Sequence, residues 1–279
     1  MVELYEEAGK IASKARRLGY SLLKEGVLYR EVVEAVEGFV KGCGAELAFP
    51  VNISVNECAA HDTSGEGDER RFKRGDLVKL DVGVHLDGYI ADTAVTKEIG
   101  SKRYRKMIRA NEEALRKALK VAKPGVQVRE IGKVVEEVAS KHGFNVIKNL
   151  TGHSISRYEL HAGLGIPNYD NKDESTLEEG MVIAIEPFFT DGAGYVIEKG
   201  EPKIFRVVKK GRVGRELLKR LEEEYHGLPF SKFWVEDPRL GLLHREGVLK
   251  AYPPLVEKSG GMVSQFEHTL IVGGKVTTK

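Results

Sequence analysis

The sequence has few of the features that mark exported or membrane proteins. It contains only two cysteines, Cys43 and Cys58, and no apolar run that approaches the ~20 residues of a membrane span. The first 30 residues interleave charged and apolar side chains and hold no apolar signal-peptide core. We therefore expect two reduced thiols, no disulfide framework, and a soluble protein of the cytoplasm.

An excess of charge of one sign is also absent. The chain has 44 Lys and Arg against 42 Asp and Glu, so its formal net charge is +2. This balance gives no electrostatic argument for nucleic acid or an anionic membrane as the main partner. The 279 residues are 41% hydrophobic and can form a substantial core. Because no linker or low-complexity segment divides them, we expect one domain over residues 1–279.

A sequence repeat is present. Residues 24–37, KEGVLYREVVEAVE, align without gaps with residues 123–136, KPGVQVREIGKVVE, at an offset of 99. Each copy follows one amphipathic helix, begins another and leads into strand-like sequence. A chance recurrence of a glycine turn would explain one match but not the same element order twice. We therefore predict an α+β fold with two duplicated halves, an internal pseudo-two-fold axis and a cleft between the halves.

Residues 198–255 interrupt this duplicated pattern. They contain a charged helical stretch around 216–225, followed by PFSKFWVEDPRLGLL and AYPPL. We interpret them as a helical insertion subdomain that lies between two strands of the main domain.

Two aspartates lie in a predicted hairpin at residues 77–95. Apolar and polar residues alternate through the first strand, and Asp87-Gly88 is typical of a turn. If the turn residues are Leu86-Asp87, Asp81 lies opposite Asp92; if they are Asp87-Gly88, the two aspartates are diagonal neighbours. Both registers place them on one face. Since paired like charges in a sheet are destabilising, a shared cation, a shared proton or a nearby arginine must offset them.

Three further polar residues lie in or beside apolar strands. His153 follows Gly152, Glu186 ends the strand MVIAI, and Glu267 lies in QFEHTLIV. Buried carboxylates are rarely unpaired, so salt bridges are the structural alternative to ligand binding. Four carboxylates would neutralise two divalent cations. Oxygen-rich ligation with one nitrogen favours Co, Mn, Fe or Zn, and neither cysteine is needed.

The contexts of these residues resemble those of the metal ligands in the pita-bread metallopeptidases. They are LDVGVHLDGYIADTA, TGHSI, AIEPF and QFEHT, and the resemblance covers nearly the whole chain. NECAAH, HAGLGIPNY, AYPPL and the insertion resemble methionine aminopeptidases of type 2, in the short archaeal form. The resemblance implies the pita-bread fold and a hydrolase that removes the initiator methionine from nascent proteins when the next residue is small.

The resemblance also implies a role for each site residue. Two metals bridged by a hydroxide would be held by Asp81 on one metal, His153 and Glu186 on the other, and Asp92 and Glu267 between them. Glu186 would also shuttle a proton, His161 would steady the oxyanion, and His61 would contact the substrate near the scissile amide. The methionine pocket would be lined by Phe49, Leu160, Ile204 and Tyr252, for which ordinary core packing is the alternative.

Two rival functions share this fold. An X-Pro peptidase would have the same five ligands but carries a large additional N-terminal domain. A non-catalytic binding homologue would have lost ligands, and none of the five is replaced here. For the leading interpretation, we expect a monomer that acts on nascent polypeptide N-termini, with a transient ribosome contact and no nucleic-acid or membrane partner.

Overall fold

The computed structural model describes residues 1–211 and 214–279. Its helices are α1 (Val2–Leu22), α2 (Tyr29–Gly42), α3 (Arg105–Val121), α4 (Val128–Lys141), α5 (Arg215–Tyr225) and α6 (Leu240–Arg245). Its strands are β1 (Glu46–Leu47), β2 (Asn52–Val55), β3 (Cys58–Ala60), β4 (Leu77–Leu86), β5 (Tyr89–Glu98), β6 (Asn145–Val146), β7 (Gly152–Ile155), β8 (Gly165–Ile166), β9 (Val182–Ile185), β10 (Phe188–Thr190), β11 (Val196–Glu198), β12 (Ile204–Val207), β13 (Phe230–Ser231), β14 (Leu249–Tyr252), β15 (Leu255–Glu257), β16 (Val263–Gln265) and β17 (His268–Ile271). Among the described residues, no helix combines the length and apolar character needed to cross a bilayer. Cys43 and Cys58 are both free, as expected.

The repeated segments form the same local structure in both halves. Helices α2 and α4 each have 14 residues and begin 99 positions apart. The preceding turns place Gly26 at φ 84° and Gly125 at φ 80°, a backbone region that glycine adopts without a Cβ penalty. The N–H of Gly26 donates to the carbonyl of Phe72 at 2.8 Å, and that of Gly125 donates to Leu177 at 2.7 Å. The predicted duplication is therefore confirmed.

The strands of the two halves also pair in the same way. In the first half, β4 pairs antiparallel with both β2 and β5; in the second half, β9 pairs antiparallel with both β7 and β17. The halves are joined where the N–H of Glu267 donates to the carbonyl of Ala94 at 3.1 Å. Strands β5 and β17, one from each half, therefore lie side by side at the centre of the molecule.

The helices pack on the outside of these strands through their apolar faces. One cluster joins α1 and α2 to β4, and a second joins α3 and α4 to β9. Gly19 permits the close approach of α1, because a Cβ at this position would lie 2.5 Å from Cδ2 of Leu80. In each half, the helix pair therefore supports the strands from the outside.

Residues 198–255 contain a sheet as well as helices. They hold α5, α6 and the antiparallel sheet β13-β12-β14, with an apolar cluster of their own. The interpretation as a helical insertion does not include this sheet, because its strands pair across 25 to 48 residues of sequence. The indole Nε1 of Trp234 donates to Oε2 of Glu37 on α2 at 2.8 Å and ties the segment to the first half.

Candidate metal centre and active-site cleft

The β4–β5 hairpin determines the relative positions of Asp81 and Asp92. Asp87 and Gly88 form its two-residue turn, with φ angles of 49° and 82° that suit a type I′ turn. In the resulting register, Asp81 pairs with Ala94 and Asp92 pairs with Gly83. The second of the two predicted registers is therefore the one that forms, and the aspartates are diagonal neighbours on one face.

The second half supplies the remaining residues of the cluster. His153 lies on β7, Glu186 follows β9, and Glu267 precedes β17. Nε2 of His153 lies 3.6 Å from Oδ2 of Asp92 and 3.7 Å from Oε1 of Glu186. Asp92, His153 and Glu267 each offer one ligand atom within 4.8 Å of the others.

A glutamine joins the last two carboxylates to this group. Nε2 of Gln265 donates to Oδ2 of Asp81 at 3.3 Å and to Oε2 of Glu186 at 3.2 Å. All five residues predicted as metal ligands are thus brought together at the junction of the halves.

Burial sets the electrostatics of the cluster. Asp92 is 3% exposed, His153 5% and Glu267 1%. Desolvation raises the pKa of Asp92 to about 7 and lowers the pKa of His153 to about 4. Desolvation, followed by repulsion from neighbouring carboxylates, raises the pKa values of Asp81, Glu186 and Glu267 well above their ordinary range. The protein alone therefore does not offset the negative charge that these groups would carry.

The unsatisfied atoms of the cluster fit divalent cations. Within the described part of the chain, Oδ1 of Asp81, Oδ1 of Asp92 and Oε1 of Glu267 are buried without a hydrogen-bond partner. Buried polar atoms are normally satisfied, and each exception calls for an explanation such as an ion. Carboxylate oxygens with one imidazole nitrogen suit Mn, Fe, Co or Zn. The geometry therefore supports divalent metal binding.

A cavity of about 250 Å³ opens beside this cluster. Its lining includes Asp81, Asp92, His153 and Glu186 together with His61 and His161. The four residues predicted for the methionine pocket also line it, namely Phe49, Leu160, Ile204 and Tyr252. The cavity thus places an apolar wall and a carboxylate cluster within the same small volume.

The two cleft histidines are held by different contacts. His61 has a left-handed backbone, with φ 63°, and its N–H donates to Oδ1 of Asn52 at 2.9 Å. The ring of His61 packs edge-on against Tyr252, with centroids 5.5 Å apart. The ring of His161 lies 4.2 Å from that of His153.

The pKa values of both cleft histidines are lowered, which favours the neutral ring near pH 7. Burial, then the charges of His161 and Lys250, lower the pKa of His61 to about 4. For His161, which is open to the cleft, desolvation by its walls lowers the pKa, followed by His153, Arg206 and Lys250. A neutral imidazole can donate one hydrogen bond and accept another, so both rings can orient a polar substrate.

The structure adds residues that the sequence did not single out. Gln265 links two carboxylates, and the hydroxyl of Thr269 accepts from the N–H of Asp92 at 2.7 Å. Gln265 lies two residues before Glu267, and residues at this spacing on a strand share a face. This spacing could have indicated from the sequence that Gln265 lies near the cluster. Arg206 and Leu228 line the cavity from the inserted segment, where no local pattern indicates their positions.

Comparisons with known proteins agree with this geometry. The profile of Metallopeptidase family M24 matches residues 3–272. A methionine aminopeptidase of Archaeoglobus fulgidus is 49% identical over 283 residues, which cover 98% of this chain and 97% of the relative. The crystal structure of a methionine aminopeptidase from Thermotoga maritima has a TM-score of 0.75 at 27% identity and covers 100% of this chain and 96% of its own. A prolidase from Pyrococcus furiosus, 24% identical with a TM-score of 0.67, covers 100% of this chain and 63% of its own, and shows the shared fold alone.

Proposed function

We propose that this chain, which belongs to metallopeptidase family M24, releases N-terminal methionine from nascent polypeptides whose second residue is small. The observation that carries this proposal is the meeting of five predicted ligands beside a small, largely apolar cavity with two neutral histidines. The near full-length similarity to named methionine aminopeptidases favours this substrate over an X-Pro peptide.

We infer that the five residues hold two divalent cations, from among Co, Mn, Fe and Zn. Asp92, His153 and Glu267 each offer one ligand atom within 4.8 Å of the others, and Gln265 links Asp81 and Glu186 by hydrogen bonds. By the family resemblance, Asp81 would hold one ion, His153 and Glu186 would hold the other, and Asp92 and Glu267 would serve both. When bound, such cations polarise a carbonyl group and lower the pKa of water.

The apolar wall accounts for selection of the first residue. Phe49, Leu160 and Ile204 are buried, and Tyr252 is partly buried beside them. An unbranched thioether chain adapts to such a surface, and burial of a methionine side chain contributes about 1.5–3 kcal/mol. The same cavity is bordered by the carboxylate cluster, so a methionine side chain bound against this wall would place its peptide bond beside the cluster.

The polar residues of the cleft supply positioning and proton transfer. His161 can donate to the oxygen of the scissile carbonyl as charge develops there, and His61 can orient the adjoining amide. Glu186 lies in the cavity wall, and its carboxylate can accept a proton and return it to the leaving amine.

The remaining partner assignments are part of the same proposal. A monomer with a transient ribosome contact would meet nascent chains as they emerge, and the reaction itself requires only the polypeptide N-terminus. Analytical ultracentrifugation and co-sedimentation with ribosomes test these two assignments separately.

Peptide specificity distinguishes the proposed function from its rival. Metal-supplemented protein is incubated with Met-Gly-Ser-amide and Ala-Pro-Ser-amide, and released amino acids are quantified. We expect methionine release at a rate at least tenfold above alanine release. Cleavage of the X-Pro bond alone would replace this proposal by the prolidase reaction.

A further inference from the structure

Two basic residues lie on the cleft-facing side of the inserted sheet. In the β12–β14 pair, Ile204 lies opposite Tyr252 and Arg206 lies opposite Lys250. Side chains two residues apart on a strand share a face, so both cations lie on the face of Ile204 and Tyr252. Since these two residues line the cavity, and Arg206 lines it as well, the basic pair adjoins the cleft.

The basic pair lacks an acidic partner in the part of the chain that the structure describes, and Nζ of Lys250 lies 4.8 Å from the ring centroid of Tyr252. Within residues 1–211 and 214–279, neither Arg206 nor Lys250 has a carboxylate oxygen within 4.0 Å. Like charges directly opposite each other in a sheet are destabilising. Nε of Arg206 is also buried without an acceptor among the described residues, which costs its desolvation free energy. A bound anion would remove both penalties.

The position of the pair indicates which part of a peptide would reach it. The proposed methionine pocket is apolar and offers no partner to a carboxylate of the substrate. Arg206 is the one Arg or Lys among the lining residues that the structure describes, and its charge acts on His161. A peptide held with its scissile carbonyl at His161 and its methionine against Ile204 and Tyr252 would therefore have Arg206 within the same cleft.

We propose that Arg206, with Lys250 beside it, binds a carboxylate of the peptide on the leaving-group side of the scissile bond. This inference rests on the proposed function and adds a specificity determinant to it. A guanidinium group can pair with a carboxylate through two parallel hydrogen bonds. The carboxylate belongs either to an acidic side chain after the second residue or to the C-terminus of a short peptide.

Matched peptides test this assignment without any mutation. Values of kcat and KM are compared for Met-Ala-Glu-amide against Met-Ala-Gln-amide, and for Met-Ala-Ala with a free C-terminus against its amide. We expect kcat/KM to favour the carboxylate member of at least one pair by about tenfold, mainly through KM. The preference should shrink as salt is raised. The favoured pair identifies the source of the carboxylate.

Variants then assign the preference to the basic pair. Arg206→Gln should abolish it, Lys250→Gln should reduce it, and Arg206→Glu should favour Met-Ala-Lys-amide over Met-Ala-Glu-amide. The control, Arg220→Gln, removes an exposed positive charge on α5 of the same segment and should leave the preference unchanged. Thermal unfolding of each variant checks folding, and calorimetric titration of the product Ala-Glu-amide gives a binding readout independent of turnover.

The outcomes distinguish a failure of this inference from a failure of the proposed function on which it rests. Equal kcat/KM within both peptide pairs in the wild-type protein would overturn the carboxylate site while leaving methionine release intact. A preference that survives Arg206→Gln would also overturn it. If methionine is released from none of the peptides, the proposed function is rejected instead.

Discussion

Asp92 and His153 belong to different halves of the duplicated fold, yet Nε2 of His153 lies 3.6 Å from Oδ2 of Asp92. Asp92 lies on β5 and His153 on β7, and β5 meets the second half at β17. The carboxylate cluster therefore forms at the junction between the halves, so a change in the charge of the cluster should also change the stability of the junction.

Metal binding should stabilise the protein and release protons. In the metal-free protein, desolvation raises the pKa of Asp92 to about 7 and also raises the pKa values of the other cluster carboxylates, so the cluster binds protons at a higher pH than free carboxylates do. Metals require the deprotonated ligands. We expect Mn²⁺ or Co²⁺ at about 100 times Kd to add about 2.7 kcal/mol of stability.

Calorimetric titrations of the metal in buffers of different ionisation enthalpy measure this proton release. The number of protons released should be greater at pH 6 than at pH 9, and affinity should fall as pH falls. A proton count of zero at pH 6 would contradict the raised pKa values.

Glu267→Gln should abolish turnover and weaken metal binding. Glu267 is 1% exposed and would serve both ions, so loss of its charge affects the whole centre. Bound metal is measured by mass spectrometry after gel filtration, alongside methionine release. The control is Glu198→Gln, an exposed glutamate on β11. Near-normal activity in Glu267→Gln would refute the ligand assignment.

His161→Ala should lower kcat by about 10²–10³-fold if the ring donates to the developing oxyanion. The ring lies 4.2 Å from His153 but has no place among the five ligands, so metal content should be retained. Steady-state kinetics with Met-Ala-Ser separate the parameters. A change confined to KM would assign His161 to substrate binding in both ground and transition states.

Sequence patterns predicted those parts of the molecule that depend on local structure. The alternation in β4 and the Asp87-Gly88 turn predicted the hairpin with Asp81 and Asp92 on one face. The register itself remained open, because both turns satisfied the same alternation. The offset of 99 predicted the two halves, since each copy carries its own helix and glycine turn.

Features that depend on distant pairing could not be predicted in this way. Arg206 meets Lys250 only because β12 and β14 pair across more than 40 residues, and neither neighbourhood in sequence signals this contact. That the five predicted metal ligands lie close together could be predicted mainly from the family resemblance. Trp234 likewise gives no local indication that it donates to Glu37 on α2.

Glu37 should make stability depend on pH. Burial raises its pKa from 4.5 to about 7, although the indole of Trp234 and the N–H of Val51 favour its charged form. A carboxyl with a raised folded pKa stabilises the protein fully below its unfolded pKa, and this contribution is lost as pH rises through 7. At 1.36 kcal/mol per unit, the loss is up to about 3 kcal/mol.

Denaturant unfolding of metal-loaded protein at pH 5 and pH 8 measures this effect. The Glu37→Gln variant should show a smaller fall in the free energy of unfolding between the two pH values than the wild type does. The control variant is Glu198→Gln, at an exposed glutamate on β11 that does not act on Glu37, and it should behave as wild type. An unchanged pH dependence in Glu37→Gln would show that Glu37 titrates normally.

The central claim is tested by activity on Met-Ala-Ser after chelation and restoration of metal. Protein stripped with a chelator is assayed alone and with Co²⁺, Mn²⁺, Fe²⁺ or Zn²⁺, and free methionine and Ala-Ser are quantified by mass spectrometry. We predict no release from the stripped protein and stoichiometric methionine and Ala-Ser with at least one metal. Release that is equally fast in the stripped protein, or no release with any of the four metals, would contradict a metal-dependent methionine aminopeptidase.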